Sequence, residues 1–268
     1  MGNRNSFLHP VIVTAIGINA LVLAAGLAWA GNDTTRLWRL LGEDSWLEWM
    51  QFLSFTILAG LLVFIAVERW SKQGRLSLDV LVIGGLSVLV GFAALEEVSY
   101  FQRVLGFGSP DFFQTHNRQL ETNLHNMVIG GVNLHKTILV KIIFIVGITH
   151  NVILPLIALR KPAVKQWVES LGLYLPPLYA GLAYLLLVAL SQLLVDHPRR
   201  GEYSEMFGAV HYMATTFAAY MAGVNYGKPA IIENPADNRR VSILFSMLML
   251  FLCFVAWLLG ATYVPPIE

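Results

Sequence analysis

The chain has 268 residues, 18 Lys and Arg against 17 Asp and Glu, and a formal net charge of +1. With 56% hydrophobic and only 13% charged residues, it lies outside the soluble globular range, where charge is about 25%. The near-neutral balance argues against a nucleic-acid partner, and the lone Cys253, inside an apolar run, excludes an intramolecular disulfide.

Apolar residues come in runs of about 20, the length that crosses a hydrocarbon core of about 30 Å. The first run, about 10–30, ends in Ala28-Trp29-Ala30, which resembles a signal-peptidase site. It is longer than a signal h-region and reads as a retained helix. Further spans are expected at about 46–67, 78–100, 137–159, 177–195, 203–225 and 241–262. Backbone polar groups in lipid must be satisfied internally, so such runs are helices. The fold class expected is all-α: a polytopic membrane helix bundle with about seven transmembrane helices and short interfacial helices between the third and fourth. Residues 1–268 read as a single transmembrane domain, with 98–136 an interfacial or re-entrant functional element.

The loop after the second span holds Arg69, Lys72 and Arg75, and that after the fourth holds Arg160, Lys161 and Lys165. The positive-inside rule then puts the N-terminus in the cytoplasm, in a bacterial inner (plasma) membrane. Glu43, Asp44, Glu48, Glu96, Glu97, Glu121, Asp196, Glu202 and Glu205 gather toward the other, extracytoplasmic face, with His116, His125, His135 and His197. Chemistry is expected there. Trp29, Trp38, Trp46 and Trp49 crowd the same boundary as an interfacial belt.

The connection from Glu96 to Lys136 carries the most information. Ser109-Pro110-Asp111 is a helix start, with cap, N1 proline and first-turn acid. It predicts a short helix laying Phe112 and Phe113 into the membrane boundary. A second short helix is expected around 119–128, ending at Gly130-Gly131. On it Glu121 and His125, four apart, would share a face and could hold one metal ion or form an acid–base pair. Helical geometry also puts Glu96, Tyr100 and Arg103 on one face, making Glu96 an ion-pair partner of Arg103 and leaving Glu97 free.

The run EEVSYFQRVLGFGSPDFF followed by ETNLHNM resembles a family of uncharacterised bacterial multi-pass membrane proteins with the pattern E-E-x-S-x-x-Q-R-x-x-G, then P-x-F-F, then E-x-N-L-H-N. The resemblance covers about 35 residues and carries no reaction. It implies that Glu96, Glu97, Gln102, Arg103, Glu121, Asn123, His125 and Asn126 belong to one site.

The function expected is a membrane-embedded enzyme acting on a lipid or lipid-linked substrate. Its metal ligands would be Glu97, Glu121, His125 and His211, holding a divalent ion, zinc or iron. Glu97, Glu121, His125 and His197 are the candidate catalytic groups. Arg103 and Arg118 would hold an anionic head group, with Gln102, Asn123 and Asn126 beside them. Haem is not expected, because nothing fixes a pairing of His150 with His211. Zinc-dependent seven-helix lipid hydrolases of the ceramidase and adiponectin-receptor type have the same helix count, but the last span here lacks a histidine, so their metal triad is not carried over. The alternatives are a metal-free His/Glu acyl or glycosyl transferase, and a non-catalytic accessory or ligand-binding subunit of a membrane complex.

Overall fold

The computed structural model of the chain describes residues 8–30, 34–42, 44–134, 137 and 140–261; Glu43, His135 and Lys136 lie outside the described residues. Helix α1 (Pro10–Ala30) is followed by a short α2 (Thr34–Leu41), the long α3 (Trp46–Gln73) and α4 (Leu78–Glu97). A single 3-10 turn (Ser99–Phe101), α5 (Gln102–Leu105), α6 (Asp111–His116) and a two-stranded hairpin, β1 (Val128–Ile129) and β2 (Val132–Asn133), lead to α7 (Val140–Ile148). A π-turn (Thr149–Ile153) joins α7 to α8 (Leu154–Arg160) as one rod. Then come α9 (Pro162–Ser170), α10 (Leu178–Leu194), α11 (Gly201–Thr216), a second π-turn (Phe217–Met221) and α12 (Pro235–Gly260).

The molecule is an all-α bundle. Among the described residues, five helices are long and apolar enough to cross a membrane: α1, α3, α4, the rod Lys141–Arg160, and α12. The other two expected spans are helical but do not meet that criterion alone. At 17 residues, α10 rises only about 26 Å. Helix α11 carries Glu202, Ser204, Glu205, His211, Thr215 and Thr216, and 11 of its 16 residues are buried. It packs against α1, α3 and α10. Polar residues are tolerated there because other helices, not lipid, surround them.

Helices α3 and α4 pack as an antiparallel pair. Their turn is set by Gly74 at φ 65°, whose N–H closes on the Trp70 carbonyl. Helix α12 starts on Pro235 with Asn234 as cap, its side chain accepting from the Ala236 N–H at 2.9 Å. Its Ile243, Leu244, Met247, Leu250, Phe251, Phe254 and Trp257 are exposed, forming the apolar wall expected of the last span. At its far end Gly260 lies against the backbone of Trp46, so the end of α12 meets the start of α3. Likewise Gly26 of α1 lies under the Tyr203 ring of α11. These contacts bring the C-terminal ends of α1, α4 and α12 and the N-terminal ends of α3 and α11 to one end of the bundle. That end holds Glu48, Glu97, Glu202 and Glu205.

Candidate functional site

Three side chains converge at the acidic end. Glu97 ends α4, Glu205 stands in the second turn of α11, and His125 hangs from the connection between α6 and β1. One ligating atom of each lies within 4.8 Å of the others, and all three residues are half-buried. Gln51 of α3 forms the inner wall. Its Nε2 donates to Glu205 Oε2 at 3.4 Å. Gln51 is 1% exposed, and among the described residues its Oε1 has no protein partner.

Two further carboxylates, Glu48 and Glu202, flank the three. Arg199 bridges them, at 2.7 Å to Glu48 and 3.2 Å to Glu202. Glu48 also accepts from the Asp44 N–H at 2.6 Å. Like charges this close and this sheltered need a cation or shared protons between them. Arg199 supplies one; the Glu97–Glu205 side has His125 facing it.

The element that delivers His125 is tied together by the other motif residues. Helix α4 stops at Glu97, and Ser99, Tyr100 and Phe101 take left-handed φ of 45°, 55° and 61°. Three consecutive non-glycine residues in that region cost about 1–2 kcal/mol each. They are held by specific contacts. Ser99 Oγ donates to Glu121 Oε2 at 2.6 Å, Tyr100 Oη donates to Glu96 Oε1 at 2.8 Å, and the Phe101 ring meets Phe52 edge-on at 5.3 Å. Burial and the Glu96 carboxylate raise the Tyr100 hydroxyl above its ordinary value, so it stays a donor.

This break corrects two expectations. Glu96, Tyr100 and Arg103 do not lie on one continuous helix. Glu96 Oε2 accepts from the backbone N–H groups of Leu124 and His125, at 2.6 and 3.2 Å. Its role is to carry the His125 backbone to the end of α4. Arg103 reaches Asp44 and Glu121. Nor is there a helix at 119–128: the chain turns, Leu120 sits at φ 59°, and Gly130-Gly131 form the tip of the β1–β2 hairpin at φ 58° and 80°. Two consecutive glycines in the left-handed region favour a hairpin turn over a helix end. Glu121 and His125 therefore share no helix face.

Glu121 is 6% exposed. Besides Ser99 and Arg103, it accepts from Asn123 Nδ2 at 2.9 Å, which makes it the anchor of the connection, apart from the Glu97–His125–Glu205 group. Asn123 also donates to Ser99 Oγ at 2.7 Å, and its Oδ1 accepts from the Asn126 N–H at 3.1 Å. Gln102 Oε1 accepts from the Thr122 N–H at 2.7 Å and Ser109 Oγ at 3.1 Å, while the Asn126 amide meets Gln119. These expected substrate-binding groups spend their hydrogen bonds on the loop itself. The Arg118 side chain is exposed, its backbone N–H donating to the Asn126 carbonyl at 3.1 Å. The predicted short helix is present as α6, with Phe112 53% exposed, but Pro110 rather than Ser109 stands at its cap and Ser109 Oγ donates instead to the Leu120 carbonyl at 2.6 Å.

His197 and His211 are elsewhere. His197 is buried in the loop before α11 with the Trp38 ring 4.5 Å away, and its Nδ1 accepts from the Arg199 N–H at 3.2 Å. Burial, then the Arg199 charge, lowers it from its ordinary value, so it is a neutral prop of the Arg199 turn. His211 lies deeper. Its Nε2 meets Asn151 Oδ1 at 2.7 Å, and its ring stacks on Tyr184 at 4.8 Å. Asn151 in turn donates to Tyr212 Oη at 2.8 Å. Glu205 and His211, six apart on α11, point about 120° apart. That rotation, visible in the sequence, separates His211 from Glu97 and His125 and aims Glu205 at them.

No family model, no curated protein and no solved structure matches the chain. Two residues of the cluster, Glu97 and His125, were marked by their chemistry in sequence. Glu205 and Gln51 were not grouped with them, because only helix packing brings α3, α4 and α11 to one point.

Proposed function

We propose that the chain is a membrane-embedded enzyme acting on a lipid or lipid-linked substrate at the extracytoplasmic face of a bacterial inner membrane, with a divalent cation held by Glu97, His125 and Glu205. The observation that carries this reading is the convergence of the three ligating atoms within 4.8 Å. Two carboxylates and one imidazole suit zinc or ferrous iron, and three protein ligands leave coordination positions for water and substrate. Such an ion acts as a Lewis acid and makes its bound water acidic. Gln51 Oε1, without a protein partner among the described residues, would offer a hydrogen-bond acceptor at the inner wall of the site. Glu96 supports the site indirectly, by fixing the His125 backbone.

The lipid substrate is favoured by the surroundings. Val104, Leu105, Phe112 and Leu120 of the connection are exposed, an apolar rim suited to acyl chains on the same element that delivers His125. Exposed Arg118 belongs to that element and suits an anionic head group, whereas Arg103 is held by Asp44 and Glu121.

Elemental analysis of the purified protein tests the reading. A stoichiometric divalent metal is expected, lost in Glu205→Gln and in His125→Ala while both variants elute as the native protein does. Without bound metal, and with lipid turnover insensitive to chelators but abolished in His125→Ala, the site is instead a metal-free acid–base transferase. Gln51, which donates to Glu205 at 3.4 Å, suits that second reading.

A further inference from the structure

The opposite end of the bundle holds a second group of charges. Arg69 lies 18 residues beyond Gln51 on α3, or about 27 Å along the axis. It borders a cavity of about 170 Å³ closed by α3, α4 and the segment after the second π-turn. Arg69, Lys72 and Lys228 all line it. Asp79, 8% exposed, sits beneath two of them, 3.2 Å from Arg69 and 3.3 Å from Lys228. Glu68 pairs with Lys72 at 3.0 Å. Three cations against two anions leave one positive charge in the cavity.

The guanidinium is fixed. It bonds Asp79, the Gly172 carbonyl at 3.4 Å and the Tyr226 hydroxyl, and it lies over the Tyr220 and Tyr226 rings at 5.3 and 5.6 Å. An arginine held in one rotamer loses little entropy when it binds an oxyanion. A guanidinium carries five N–H donors and each ammonium three, more than these acceptors use. The remaining wall is apolar, from Ile65, Pro229 and Ile231. A charged mouth with surplus donors, one net positive charge and an apolar side fits a phosphate oxyanion.

We infer that this cavity binds one phosphate-bearing group, drawn either from an anionic phospholipid or from free phosphate. Its residues are separate from the Glu97–His125–Glu205 cluster, so the two proposals fail independently.

The test uses the full chain in a neutral detergent. Native mass spectrometry follows titration with phosphatidylglycerol or phosphatidylcholine, and thermal unfolding follows titration with inorganic phosphate. Saturable binding of phosphatidylglycerol alone identifies a lipid headgroup, and stabilisation by inorganic phosphate alone a free anion; both together support the shared chemistry. Lys72→Gln/Lys228→Gln should weaken binding about tenfold, because each lysine contributes a charge-assisted hydrogen bond at a partly exposed site. The Lys72 and Lys228 side chains are 61% and 35% exposed, so the change leaves the fold in place, and the single Lys72→Gln should show a smaller loss. Exposed Arg75, at the same end but outside the cavity lining, is the control, and Arg75→Gln should leave binding unchanged. The inference is overturned if neither ligand saturates, if phosphatidylcholine binds equally well, or if the double variant binds as the native chain does.

Discussion

Replacing Glu121 separates its two assigned roles. If Glu121 were a metal ligand beside His125, Glu121→Gln would remove the metal and leave the loop largely intact. The structure makes the opposite demand. The carboxylate is buried and accepts from Ser99 Oγ, Asn123 Nδ2 and the Arg103 guanidinium. Glu121→Ala leaves all three donors without it and should cost about 3–5 kcal/mol, the range for breaking a buried ion pair. The cost should stay local, because Ser99, Tyr100 and Phe101 hold left-handed φ only while such contacts persist. The assay is hydrogen–deuterium exchange with mass spectrometry. Amides from 99 to 126 should lose protection in Glu121→Ala, while those of α3, α11 and α12 keep theirs. Glu121→Gln, which keeps an acceptor, should show a smaller loss and should retain any bound metal. Unchanged protection in Glu121→Ala, or loss of metal in Glu121→Gln with the loop still protected, would refute the anchor role.

Asn151→Ala removes the partner of both His211 and Tyr212 inside the bundle, and thermal unfolding in detergent should show a loss of about 2–3 kcal/mol. Gly181→Ala should destabilise by about 1–3 kcal/mol in the same assay, because an added Cβ on α10 overlaps the Asn151 carbonyl at the first π-turn. His9, buried just before α1 and bonded through Nε2 to Ser242 Oγ at 3.3 Å, is pushed down to about 4 by burial. The unfolded chain binds its proton from about pH 6.5 downward and the folded chain only near 4. Stability is therefore full above pH 6.5 and falls as pH drops toward 4. His197, also lowered, adds a slope of the same sign. His9→Gln should flatten part of this fall in unfolding midpoints measured from pH 7.5 to 4.5.

The all-α bundle was legible because a hydrocarbon core leaves a long apolar run only one backbone solution. The positions of α1, α3, α4, the Lys141–Arg160 rod and α12 follow from that constraint. Ser109-Pro110-Asp111 located the start of α6, although Pro110 rather than Ser109 stands at the cap and no side chain caps the helix. Within the connection after α4, sequence spacing misled, since i, i+4 arithmetic presumes a helix and the chain there is held by long-range bonds. Glu121 finds Ser99, 22 residues earlier, and Glu96 finds the His125 N–H, 29 residues on.

Composition and local pattern thus determined that this protein is a membrane bundle with most of its acids toward one end and its lysines and arginines more numerous at the other. Only the tertiary structure decided which acids meet. Helical phase shows that Glu205 and His211 diverge, but it says nothing of what either faces. That depends on how α3, α4 and α11 pack, and their packing turns Gln51, Glu97 and Glu205 toward one another with His125 at the opening.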